Sequence, residues 1–266
     1  MLSARFQQFA AEALQAMTEA VVRLRKAPGT TAERVVVIAD GLEKFTPLRE
    51  EERRAMEASV ESVFVQHARL LRLPCHVIYT FPLWLRFQVA ELGSLYDSQP
   101  LILPMVKIAD RKGTPYEPGL DKLCDLVARR VDVKRIFGAA PKDTLLPLVR
   151  ASGGYPRDLL RMVRELLVRN DRFPVGANAS ERIIEDLAQE YAFVVRGTHL
   201  PILKELARTH SLPQGSSEQV AAFGRLLEKW LVLAYRNGDE WYDLHPLVRR
   251  APLVRAELES DRKSVV

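Results

Sequence analysis

Apolar residues recur at helical spacing from Met1 to Arg25, where Phe6, Phe9, Leu14, Met17, Val21 and Leu24 share one side and predict an amphipathic helix. Ala27-Pro28-Gly29-Thr30-Thr31 ends it. The pattern then changes to Arg34-Val-Val-Val-Ile-Ala-Asp40, a β-branched run that closes on an acid. Its apolar residues are continuous rather than alternating, which predicts a strand buried on both faces of a parallel sheet. A helix is expected from about Arg49 to Leu71, and after Pro74 a second strand, Cys75-His-Val-Ile-Tyr-Thr80. Leu101 to Ile108 reads as a third strand, followed by helices over Gly119 to Val131 and Lys142 to Val149.

Strands alternating with helices predict an α/β first half with parallel strands. From Ser152 onward the period is helical: Arg157 to Arg169, Ser180 to Val195 with Asn178 or Ser180 as cap, Thr198 to His210, and Ser216 to Leu233. The chain then predicts a hairpin, Leu231–Arg236 and Trp241–Leu244 about the turn Asn237-Gly238-Asp239, because Asn-Gly suits the positive φ of a tight hairpin turn. Helices followed by a small hairpin resemble a winged helix-turn-helix. The expected divisions are 1–150, 151–196 and 197–258. No internal repeat or low-complexity tract interrupts them.

Composition narrows the class. Of 266 residues 47% are hydrophobic and 27% charged, which excludes wholesale disorder. No apolar run approaches the roughly 18 residues of a membrane span. Met1 to Lys26 shows no basic region leading into an apolar run, so no secretory signal is expected there. Cys75 and Cys124 are too few for a disulfide framework, and a cytoplasmic setting is the expectation. Thirty-nine Lys and Arg against 34 Asp and Glu give +5, spread over Arg129–Arg135, Arg157–Arg172 and Arg249–Arg255. These stretches read either as solvated helix faces or as a surface for nucleotide or nucleic acid.

Three segments carry candidate chemistry. In Val35-Val-Val-Ile-Ala-Asp40-Gly41-Leu42-Glu43-Lys44, a strand delivers Asp40 to the carboxyl edge of a sheet, where open α/β folds bind ligands. There an acid can hold Mg²⁺ through water while a second acid orients an attacking water. The segment resembles the Walker B element of P-loop ATPases, and its Asp-Gly-Leu-Glu form is similar to the STAND-class signalling ATPases, relatives of AAA+ proteins. The resemblance places Mg²⁺ on Asp40 and water positioning on Glu43. Cys75-His76-Val77-Ile78-Tyr79-Thr80 then resembles the strand of the first sensor, with Thr80 sensing the γ-phosphate. Ala151-Ser152-Gly153-Gly154-Tyr155-Pro156-Arg157 resembles the second sensor, with Arg157 reaching phosphate from a helical lid. Leu226-Leu-Glu-Lys-Trp230 and Tyr242-Asp-Leu-His245-Pro246-Leu-Val-Arg249 are similar to the winged helix that follows the lid in STAND proteins.

One element of the family is missing. No Gly-x-x-x-x-Gly-Lys-[Ser/Thr] occurs, the loop whose amides and Lys hold the β- and γ-phosphates. The elements preceding Walker B need on the order of 60 residues, and a single helix stands before Arg34. Three explanations stay open: a fragment of a larger ATPase, a partner chain that supplies the missing half, or a degenerate module whose sheet closes directly.

The other candidates carry less. His67, His76, His199, His210 and His245 lack metal-ligand spacing and read as ordinary surface or core residues. There is no Gly-x-Ser-x-Gly nucleophile elbow. Trp84, Trp230 and Trp241 read as packing residues. The fold expectation is therefore a partial P-loop-type parallel sheet with flanking helices, then a helical lid and a winged helix. The functional expectation is the Walker B, sensor and lid portion of a STAND/AAA+-like ATPase, an ATP- and Mg²⁺-dependent switch with negligible hydrolysis in the absence of Walker A. A protein partner or self-association is expected, and a membrane is not. The alternatives are a degenerate scaffold, or a DNA-binding winged helix in which Ser217 to Leu231 enters a groove. Against DNA stand Glu218, Glu228, Asp239 and Glu240, which would repel phosphate.

Overall fold

The computed structural model describes residues 2–27, 29, 35–44 and 50–264. Arg34 and Arg49, where the first strand and the second helix were expected to begin, lie outside them. The chain is α/β and mostly helical, and it divides into two compact units, Met1–Leu101 and Ile102–Val266. The boundary expected at 150 lies inside the second unit. No helix among the described residues is long and apolar enough to cross a membrane.

The first unit runs α1 (Leu2–Arg25), β1 (Val36–Ala39), α2 (Arg53–Glu61), β2 (His76–Tyr79), α3 (Leu83–Gln88) and α4 (Leu92–Tyr96). After α2 the helix widens into a π turn over Ser62–Gln66 and ends in a 3₁₀ turn over Ala68–Leu71. His67 fixes the wide turn: its amide and its Nδ1 both meet the Ser62 carbonyl, at 2.9 and 2.8 Å. β1 and β2 pair in parallel, Val36 opposite His76 and Ala39 opposite Tyr79. Below them Val60, Phe64, Trp84, Leu85 and Leu92 form a buried cluster, against which Tyr79 and Leu42 pack.

The expectation of a strand buried on both faces is corrected here. Side chains alternate across a strand, and Val36, Ile38 and Ile78 all fall on the face turned to solvent, 50%, 65% and 54% exposed. A continuous apolar run records β-branched preference as readily as double burial, and among the described residues nothing covers this face. The third expected strand is also corrected. Residues 102–108 join no sheet; instead Met105 N donates to Ala234 O at 2.8 Å and Val106 N to Gly154 O at 3.1 Å.

In the second unit α5 (Glu117–Ala128), α6 (Val133–Phe137), α7 (Pro141–Ala151), α8 (Pro156–Arg169) and α9 (Ala177–Val194) share one large core through Leu123, Leu148, Leu159, Met162 and Ile184. α10 (Leu200–Thr209) and α11 (Ser217–Glu228) follow, then the antiparallel hairpin β3 (Val232–Asn237) and β4 (Asp239–Leu244), α12 (Pro246–Arg250) and α13 (Pro252–Ser264). Ser216 opens α11 with a capping box: its hydroxyl accepts from Gln219 N while Gln219 Oε1 accepts from Ser216 N.

α11 ends five residues before the expected Leu233. Trp230 takes φ 57°, Leu231 N donates to Leu226 O and Trp230 N to Leu227 O, the paired bonds of a Schellman stop. Glycine usually holds that left-handed position, and tryptophan gives no warning of it in a sequence.

Candidate functional site

The expected site residues fall in two places. Asp40, Glu43 and Thr80 are in the first unit, while Arg157 is in the second. Parallel pairing of β1 and β2 brings Asp40 and Thr80 out of neighbouring strands at the same end of the sheet, and Thr80 N extends the ladder by donating to Ala39 O at 3.1 Å.

Beyond β1 the chain turns at Gly41, whose φ of 91° suits glycine, into a 3₁₀ turn over Leu42–Lys44. Asp40 is exposed, and its Oδ1 accepts from Gly41 N at 2.9 Å. The Thr80 hydroxyl ties the two strand ends together. It accepts from Leu42 N at 3.2 Å, and its one proton is shared between Ala39 O, 3.5 Å away, and the Glu43 carboxylate. That bond, against a smaller opposing effect of burial, holds the Glu43 carboxyl below its ordinary pKa. Glu43 Oε2 is enclosed and has no hydrogen-bond partner among the described residues. Among the described residues no group of three or more His, Cys, Asp and Glu side chains could hold a metal ion by itself.

Arg157 is the second residue of α8 and is exposed. The Gly153-Gly154 turn before it has a local structural cause. Both residues have positive φ, 61° and 84°. A Cβ on Gly153 would stand 2.5 Å from Leu233 Cδ1 and 2.7 Å from Pro246 Cδ, and one on Gly154 would stand 1.8 Å from Val106 O. Tyr235 donates its hydroxyl to Gly153 O. The turn is thus wedged between the hairpin and the extended 105–106 segment.

A buried polar cluster lies one residue beyond Arg157, which the sequence did not reveal. Asp158 and His245 are 5% and 0% exposed. Tyr191 donates to Asp158 Oδ2 at 2.7 Å, His245 Nε2 stands 3.4 Å from the same oxygen, and the imidazole stacks on the Tyr191 ring at 4.6 Å. His245 Nδ1 accepts from Leu247 N at 3.2 Å and so caps α12. An accepting Nδ1 leaves the proton of the neutral ring on Nε2, which faces the carboxylate. Burial would raise the Asp158 pKa, but the bonds from His245 and Tyr191 outweigh it and the net direction is down. No signal in the sequence links Asp158 to His245: an acid in a first helical turn is ordinary, and 87 positions separate the pair.

No protein-family model, curated protein or solved structure matches this chain.

Proposed function

We propose that the chain carries the Walker B, sensor and lid elements of a STAND/AAA+-like nucleotide switch, with β1 and β2 as part of a P-loop-type sheet and residues 197–258 as a winged helix. The observation that supports this reading most is that Asp40 and Thr80 leave adjacent parallel strands at one end, joined by the Thr80 hydroxyl to Leu42 N and Glu43. A carboxylate and a hydroxyl at the carboxyl edge of a parallel sheet are groups that suit a nucleotide's metal and terminal phosphate.

The roles follow from the chemistry of each group. Asp40 offers one exposed carboxylate with one oxygen already engaged, which fits a water-mediated contact to Mg²⁺ rather than a complete metal site. Mg²⁺, when bound with ATP, neutralises phosphate charge. Glu43, held charged by Thr80, can accept from and orient a water. Arg157 would pair with phosphate oxygens through its planar fork. The amides and lysine of a phosphate loop must come from outside these 266 residues, so hydrolysis by this chain alone is negligible.

Calorimetric titration with Mg·ATP tests the reading. The chain alone is expected to bind no tighter than millimolar. A protein in which a phosphate-loop half is joined ahead of Val35 is expected to bind tightly, and Asp40→Asn and Arg157→Ala to weaken that binding about tenfold each, roughly the worth of one charge-assisted contact. Tight binding indifferent to both substitutions overturns the reading, as does turnover of about one per second by the chain alone.

A second reading, a degenerate module that serves as a protein-interaction scaffold, draws on a different observation. Packing of Gly153 against the hairpin and Pro246, and of Gly154 against the backbone of Val106, accounts for both glycines of the turn with no phosphate required. Under that reading the joined protein also fails to bind Mg·ATP.

A further inference from the structure

The buried cluster of the second unit has no part in nucleotide binding as proposed above, yet it places an imidazole, a group whose free form titrates near neutral pH, at a mechanical junction. His245 lies between β4 and α12. Its amide donates to Leu231 O at 3.0 Å, its carbonyl accepts from Val248 N and Arg249 N, and its ring caps the helix. Through Asp158 and Tyr191 the same ring touches α8 and α9. We propose that Asp158, Tyr191 and His245 form a proton-operated latch: neutral His245 fastens the hairpin and α12 to the α8–α9 pair, and protonation of Nδ1 frees the first turn of α12.

The geometry sets the direction. In the neutral ring Nδ1 accepts from Leu247 N and Nε2–H points at Asp158. A proton taken from solvent can add only at Nδ1, which then becomes a donor facing another donor, and the cap is lost. The positive ring would also be enclosed in an apolar core, with the single carboxylate of Asp158 3.4 Å from Nε2. Burial, opposed by the bond and charge of Asp158, accordingly pushes the His245 pKa below its ordinary 6.5. The unfolded chain therefore gains its proton at a higher pH than the latched state, so the stability held by the latch is complete above about 6.5 and is lost as pH falls below it.

The surrounding charges leave this direction unchanged. Among the described residues Asp158 is the charged group that acts on His245. Arg161, beside Asp158 on α8, is paired with Glu190 of α9. Arg249 meets Asp243 of β4, and Arg250 meets Glu181 and Glu185 of α9. α13 contributes Arg255 to the Arg250 carbonyl, and on α7 Lys142, Asp143 and Arg150 are exposed. His210 stands 3.6 Å from Asp243.

Amide hydrogen exchange of the full chain, corrected for intrinsic rates, tests the latch between about pH 7.5 and pH 5.5. Protection of Leu247, Val248 and Arg249 is expected to fall by up to about tenfold on acidification, the equivalent of one pKa unit, while the core of α9 keeps its protection. His245→Asn retains a capping acceptor that does not titrate and is expected to abolish the fall. Equal loss in both proteins overturns the proposal. If His245→Asn does not fold, NMR titration of the native imidazole decides: titration below 6.5 with the proton on Nε2 supports the latch, and titration at or above 6.5, or an Nδ1–H tautomer, overturns it.

Discussion

The rings of Tyr155 and Trp230 stack with centroids 4.5 Å apart and planes inclined by 19°. This contact joins the residue before α8 to the left-handed stop of α11, so Trp230 has two effects of opposite sign. Its ring contributes packing, while its φ of 57° stores backbone strain. Trp230→Ala keeps the strain and loses the ring, and is expected to lower the unfolding free energy by about 2–4 kcal/mol. Trp230→Gly is expected to be more stable than Trp230→Ala by about 1 kcal/mol, because glycine prefers this conformation. Urea denaturation of the two variants measures the difference, and its sign is the test.

Two glycines with nearly equal φ are expected to respond differently to substitution. Gly238, φ 85°, sits at the hairpin tip with open space where a Cβ would go, so Gly238→Ala costs the backbone term alone, about 1 kcal/mol. Gly154, φ 84°, faces Val106 O, and Gly154→Ala must also displace the backbone at residue 106. It is expected to cost more than about 3 kcal/mol. Thermal unfolding of the pair separates a strained turn from a filled one.

Thr80→Val removes the hydroxyl that joins the two strand ends. Leu42 N loses its acceptor and Glu43 loses its donor, with an expected cost of about 1–2 kcal/mol in urea denaturation. The Glu43 pKa, held low chiefly by Thr80, is expected to rise towards 4.5 in the variant when followed by carboxyl NMR. The native bond contributes stability above the unfolded value and loses it as pH falls through the lower folded one, so the two proteins differ least in strong acid. Thr80→Ser keeps the hydroxyl and is expected to retain the native titration.

Particular residues explain what the sequence disclosed. The runs ending at Asp40 and Thr80 announced two neighbouring strands because a helix stood between them, and parallel strands need such a crossover. Asn237-Gly238 announced the hairpin through its turn chemistry. The open face at Val36, Ile38 and Ile78 was illegible, since an apolar strand reads the same whether one or both faces are covered. The end of α11 was hidden because a tryptophan occupies a glycine's position. Asp158 and His245 meet only through tertiary packing, so neither residue alone signalled the cluster.

The open β-layer bears on how the molecule comes apart. With one side of its sheet wetted, the first unit keeps, among the described residues, a buried cluster of five side chains, whereas the large core of the second keeps twenty. Heat should therefore dismantle the chain in stages rather than at once, the environment of Trp84 changing before those of Trp230 and Trp241, and a single melting temperature would misstate its thermodynamics.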